Sequence, residues 1–220
     1  MSALSRSAII NKLRANELVI SPILKAGQIG ASSVDLRMGT VALMARAGAQ
    51  SHVDPAAYLP NPKLGKHGVI QDRQQKHERF DIPYGKSFLL HPGSLVLVPT
   101  LEWVKMPENL QGIVTARSSW AREGLNIATA TIINPSYQGI ITLELANFGD
   151  IPIRLTPGLR LAQLALYELT RNDVEIEGTY AKLQSKGQFD MSFEPSAGDI
   201  AKGDELFAEL GEGKMSNNYP

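Results

Sequence analysis

Between Phe88 and Leu169 the chain offers no stretch long enough for a substantial helix. It reads instead as short apolar runs separated by turn residues: SFLLHPGSLVLVPT, LQGIVTA, LNIATATII, GIITLELANF, IPIRL and RLAQLALYEL. Alternation at period two, with turns at close spacing, favours an all-β barrel or sandwich. The chain has 220 residues and 43% hydrophobic content, so one large domain with a full core is within reach.

The flanking regions differ. Residues 4–18 predict an amphipathic helix with Ser7 as N-cap and Ile9, Ile10, Leu13 and Leu18 at helical spacing. Val34, Leu36 and Met38 alternate with Asp35 and Arg37, which predicts a half-buried strand closed by Gly39, with Val41–Met44 continuing as strand. Residues 46–86 carry Pro55, Pro60, Pro62, Gly65 and Gly68 and a polar run. They read as a loop-rich surface excursion with one short strand. Beyond Thr170 periodicity fades, and residues 178–220 read as a C-terminal arm on a β domain spanning 1–177.

Composition excludes several classes of function. Lys+Arg and Asp+Glu both number 22, so the basic excess of a duplex nucleic-acid binder is absent. No cysteine is present, which removes disulfides, thiol catalysis and every Cys-ligated zinc site. His52, His67, His77 and His91 show no metal-ligand spacing. No segment reaches eighteen apolar residues, so the expectation is a soluble, cytoplasmic protein.

Two features carry chemistry. In ARSSWAREGL (Ala116–Leu125), Arg117 and Arg122 supply forked donors suited to phosphate, and Ser118 and Ser119 add neutral ones. A solvated turn with an Arg–Glu123 surface pair is the alternative. Glu144 stands alone in an apolar strand, sharing a face with Thr142 and Ala146, opposite Leu143 and Leu145. From periodicity alone this is the polar side of an edge strand. Lining a closed pocket, the same acid gains the raised pKa of a general base. The segment Asn134–Gly139 suits a hairpin loop, and Asn134 and Tyr137 also suit contact with a sugar.

Four blocks in order resemble the dCTP deaminase family of the trimeric dUTPase-like superfamily: GASSVDLRMG (Gly30–Gly39), HPGSLVLVPTLEWVKMPENLQG (His91–Gly112), RSSWAREGL, and TATIINPSYQGIITLELAN (Thr129–Asn147) running on to PGLRLAQL (Pro157–Leu164). The resemblance covers roughly residues 5–170. It implies a mainly β fold, a distorted β-barrel with an N-terminal helix and a mobile C-terminal arm, assembled as a homotrimer with sites at subunit interfaces. It also implies zinc-independent hydrolysis of dCTP to dUTP and ammonia, which supplies deoxyuridine nucleotides for dTTP synthesis.

By the residue match Glu144 is the general base, and Ser118 and Arg122 position water, base and glutamate. Arg117, Ser119, Ala130, Asn134, Tyr137, Leu143 and Gln163 fall at substrate-binding positions, with Lys182 and Gln184 as the counterparts in the arm. Magnesium would come with the triphosphate and bind no protein side chain; dTTP would be a feedback inhibitor.

The chain departs from the pattern in three places. Asn134 replaces the aspartate that activates the hydrolytic water in dUTP-cleaving relatives. The loop from Arg122 to Ala130 is one residue short, with Ile127 and Ala128 where the family has a histidine. TYAKLQSKGQF (Thr179–Phe189) matches the arm motif only in composition. The alternatives are therefore a dCTP/dUTP diphosphatase or bifunctional enzyme releasing dUMP, a deaminase of a modified or monophosphorylated cytosine nucleotide, and a non-catalytic nucleotide-binding regulator.

Overall fold

The computed structural model describes residues 2–45, 77–128 and 131–170. Most of the 46–86 excursion and all of the 178–220 arm lie outside the described residues. Of the excursion, His77–Asp81 forms a strand, in line with the single short strand expected there.

The strands are β1 (Ser2–Ala3), β2 (Val19–Ser21), β3 (Ser33–Arg37), β4 (Val41–Ala45), β5 (His77–Asp81), β6 (Phe88–Leu90), β7 (Leu95–Lys105), β8 (Leu110–Ala116), β9 (Leu125–Ile127), β10 (Ile132–Ile133), β11 (Gln138–Asn147), β12 (Ile153–Leu155) and β13 (Arg160–Glu168). Among the described residues two α-helical segments, α1 (Arg6–Arg14) and the single turn α2 (Ser118–Ala121), and a 3-10 turn at Ala26–Gln28 interrupt them. The mainly β expectation with one N-terminal helix holds.

One antiparallel sheet runs β1-β13-β8-β10, with β3 on β13. A second runs β5-β4-β7-β11-β9, with β2 on β7. A third, small sheet pairs β12 with β6. Both large sheets feed one core: Leu36, Val114, Leu164 and Leu166 from the first meet Val96, Val98, Leu143 and Leu145 from the second. At about 25 cal/mol per Å² of apolar surface, this shared burial is what orders so many short strands.

Three local expectations change. Helix α1 covers Arg6–Arg14 rather than 4–18, and its cap is Ser5, whose Oγ accepts from the Ala8 amide, rather than Ser7. Leu18 is fully buried but lies beyond the helix, which ends before Asn16 turns left-handed at φ 55°. The Pro92–Gly93 turn separates β6, which pairs with β12, from β7, which pairs with β11. The Asn134–Gly139 loop likewise crosses between sheets, since β10 pairs with β8 while β11 pairs with β7. Local turn residues mark where a strand ends; the next strand's partner is a non-local choice.

The third change concerns β3. Its predicted polar face is buried: Asp35 and Arg37 are both 7% exposed. A charge on that face must find partners or the strand is destabilised. The partners it finds build the site.

Candidate functional site

The segment after β8 is docked before it turns. The Arg117 amide donates to the Leu161 carbonyl at 3.0 Å, which prolongs the β8–β13 ladder by one residue. Arg117 is extended (φ −65°, ψ 137°), and α2 follows as one turn closed by Arg122 N–H to Ser118 C=O at 3.2 Å. Trp120 ties the turn to β13 through its indole N–H, which donates to the Arg160 carbonyl at 2.9 Å. Ser118, Ser119 and Arg122 are left exposed, with Arg117 half-buried.

Gly124 ends the turn at φ 89°, and a Cβ there would collide with the backbone of Gly149. Only glycine permits this approach, and it lets the Phe148 amide donate to the Gly124 carbonyl at 2.9 Å. The α2–β9 connection is thereby fixed against the β11–β12 loop.

Glu144 is not on an edge strand. On one side β11 pairs with β7, with Glu144 opposite Leu97. On the other, the Ala128 amide donates to the Glu144 carbonyl at 2.7 Å, and Leu145 lies opposite Ile127 of β9. Directly opposed residues share a face, so the half-buried Glu144 side chain neighbours Leu97. Leu97 and Val41, with Leu43 against them, form a small apolar cluster apart from the main core. The chain thus runs from α2 through β9 directly to the strand beside Glu144. The Ser118–Arg122 turn leads into β9, and β9 pairs with the strand that carries the carboxylate.

The second focus is Asp35. Its Oδ2 accepts from Arg117 Nη1 at 2.6 Å and from Arg160 Nη1 at 3.2 Å, and its Oδ1 from Gln163 Nε2 at 3.4 Å. The structure therefore brings together Arg117 and Gln163, two residues singled out from sequence. It adds Asp35 and Arg160, which were not.

Two residues along β3 a deeper cluster forms. Glu102, fully buried, accepts from the Arg37 amide at 2.8 Å, Arg37 Nη1 at 3.1 Å and Gln28 Nε2 at 2.9 Å. Gln28 accepts from Arg37 Nη2 at 2.7 Å and donates to the Asp35 carbonyl at 3.0 Å, which joins the two clusters. Burial pushes the Glu102 carboxyl up to about 7, against the lowering pull of the Arg37 amide and guanidinium and of Gln28.

The remaining sequence candidates divide. Tyr137 is anchored: its hydroxyl donates to the Ile140 carbonyl at 2.7 Å, and burial pushes its pKa up to about 12. Leu143 points into the core, on the face opposite Glu144, so its side chain does not line that face. Asn134 is exposed at the start of the crossing loop. Ala130, Lys182 and Gln184 lie outside the described residues. Among the described residues no cluster of His, Asp and Glu gathers as a metal cage, and no helix is long and apolar enough to cross a membrane.

An antiparallel β domain with an exposed arginine-and-serine turn after β8 and a half-buried glutamate on β11 defines the class. The chain belongs to the dCTP deaminase-like family, whose model matches residues 3–169. It is similar to the dUMP-forming dCTP deaminase of Dictyoglomus turgidum, 39% identical over 169 residues, covering 76% of this chain and 80% of that protein. It is also similar to the dCTP deaminase of Halorubrum lacusprofundi, 38% identical over 168 residues, covering 76% and 77%. Among solved structures the fold is similar to that of 2'-deoxycytidine 5'-triphosphate deaminase from Agrobacterium tumefaciens, with a TM-score of 0.54 and 22% identity. That match covers 74% of this chain and 47% of the other, so this chain spans about half its length.

Proposed function

We propose that the protein hydrolyses dCTP to dUTP and ammonia, with Glu144 as general base. The observation that supports this reading most is the seating of Glu144. It lies on a central strand, half-buried against Leu97, with α2 two short elements away along the chain. An acid in that setting is shielded yet reachable, as proton transfer to and from a bound water requires. The water oxygen bonds to the cytosine carbon that bears the amino group, and Glu144 takes the water's proton. The carbon–nitrogen bond then breaks as that proton passes to the departing nitrogen, and ammonia leaves. Ser118 and Arg122 position the water and the carboxylate. Arg117, Ser119 and Gln163 hold the phosphates.

The exposed Ser118, Ser119 and Arg122 leave this turn open to a ligand or to a second copy of the chain, in keeping with a homotrimer whose sites lie between subunits. Magnesium would be held by triphosphate oxygens and waters. The side chains gathered at Asp35 are cations and an amide, donors that fit phosphate oxygens and not a metal ion. Inhibition by dTTP is part of the same reading.

A second reading is favoured by the dUMP-forming name of the Dictyoglomus relative: deamination followed by release of pyrophosphate. Asn134 counts against it, because an amide is no general base. Purified protein given dCTP and magnesium should release ammonia and accumulate dUTP without pyrophosphate. Absence of ammonia from an intact oligomer rejects the first reading. Pyrophosphate in equal yield with ammonia establishes the second.

A further inference from the structure

We propose that Arg160 is a second phosphate-binding arginine, which Asp35 holds beside Arg117 so that both guanidinium groups meet one polyphosphate chain. The inference rests on the dCTP reading and names a further subsite of it.

Arg117 and Arg160 approach the same carboxylate oxygen, at 2.6 and 3.2 Å. One carboxylate cancels one of two guanidinium charges, so the group keeps a net positive charge. Each guanidinium has five N–H donors in a fixed fork, and among the described residues each gives Asp35 a single nitrogen. The exposures are graded in the useful direction. The Asp35 side chain is 9% exposed, that of Arg117 24% and that of Arg160 39%, so the carboxylate is the most enclosed of the three and both arginine side chains stay partly in solvent. Asp35 is itself fixed from below, through the bond from Gln28 to its carbonyl.

Arg160 is fixed from the side, through the Trp120 indole on its carbonyl, which couples it to the turn bearing Ser118 and Arg122. Were the pair only a surface ion bridge, one arginine would be enough to neutralise Asp35. Two forks side by side suit an anion whose oxygens lie on more than one phosphorus. The ligand class is therefore a nucleoside di- or triphosphate in preference to a monophosphate.

The test uses the full chain and three variants: Arg160→Gln, Arg160→Lys and Asp35→Asn. Ammonia release from dCTP is measured together with competitive inhibition by inorganic tripolyphosphate. Loss of one charge-assisted contact should raise the KM for dCTP about tenfold in Arg160→Gln with kcat nearly unchanged, and raise the tripolyphosphate inhibition constant by the same factor. Arg160→Lys should recover part of both, since it keeps the charge and loses the fork. Asp35→Asn should raise KM at least as much, because it releases both arginines.

Unchanged KM and unchanged tripolyphosphate inhibition in Arg160→Gln overturn the inference. So does a fall in kcat and thermal stability with KM intact, which marks Arg160 as a structural partner of Asp35. If the unmodified protein releases no ammonia from dCTP, the dCTP reading fails by itself, and calorimetric titration with tripolyphosphate then decides Arg160. Binding that Arg160→Gln weakens sustains the inference, and no binding ends it.

Discussion

Asp35 and Arg37 sit two residues apart on the same face of one strand and end in opposite circumstances. Asp35 gathers two arginines and a glutamine at the rim, where the cations stay partly in water. Arg37 closes on Glu102 and Gln28 in the interior, where the carboxylate is fully buried and held by the Arg37 amide, the guanidinium and the Gln28 amide. The rim cluster is positive and keeps spare donors, so a ligand can join it. The buried cluster has paired its groups among themselves. The same motif, acid and arginine alternating in a strand, thus yields a binding surface at one position and a structural clasp two residues on. Solvent access decides which.

The contrast requires that variants at the rim and on the Glu144 strand alter activity without unfolding the protein, while variants at the clasp do the reverse. The largest effect belongs to Glu144→Gln. Removal of a general base should lower kcat by about 10²–10⁴-fold, with the unfolding midpoint unchanged. Residual activity near that of the unmodified protein would remove Glu144 from the mechanism. Next is Glu102→Ala, which leaves the Arg37 guanidinium buried without its carboxylate and should cost about 3–5 kcal/mol by denaturant titration. In the fraction that remains folded, kcat should be retained. A loss below about 1 kcal/mol would show that water or a rearranged Gln28 replaces the carboxylate.

A smaller effect follows from pH. The Glu102 carboxyl is raised in the folded chain from 4.5 to about 7. Below 4.5 both states are protonated, and this group is neutral in each. As pH rises from 4.5 to about 7, the unfolded chain gives up its proton while the folded chain keeps it, so stability falls with pH over that window. Above about 7 the loss is complete and constant. At about 1.4 kcal/mol for each pH unit the window corresponds to about 3.5 kcal/mol at most. Urea titrations from pH 4.5 to 8 should show this decline in the parent protein and not in Glu102→Gln, where nothing titrates. Parallel curves for the two proteins would break the assignment of the clasp as a buried, titrating acid.

The sequence made the strands legible and their partners much less so. Alternation located β7, β8, β11 and β13, because a half-buried strand must alternate wherever it lies. It also put Glu144 on the face opposite Leu143 and Leu145. It did not show that β11 is flanked on both sides, since that depends on β7 and β9, which are distant along the chain. Nor did it show that Asp35 and Arg37 are interior. A charged residue at every second position looks like a solvent face, and the charged partners that make burial tolerable, Arg117, Arg160 and Glu102, lie more than sixty residues away. The available signal was Glu102, a lone acid in the apolar run LVLVPTLEWVK, and it resembles Glu144 in every local respect. Periodicity alone cannot tell a clasp from a base.

The smallest effect concerns Tyr137, and it separates structure from ligand contact within the site's own loop. The β7–β11 register shifts between Ile140 and Thr142. The Thr100 hydroxyl accepts from the Ile141 amide there at 3.1 Å, and the Tyr137 hydroxyl donates to the Ile140 carbonyl at 2.7 Å. The two hydroxyls thus supply hydrogen bonds at the step where the ladder slips. Removing one alone, in Tyr137→Phe, leaves that carbonyl without its donor and should cost about 1 kcal/mol of stability. The KM for dCTP should stay where it is, because the hydroxyl's proton is already committed. The reverse pattern, a raised KM with full stability, would return Tyr137 to the sugar-binding role its position in the sequence suggests. In that case the Ile140 carbonyl must find its donor elsewhere in the bulge.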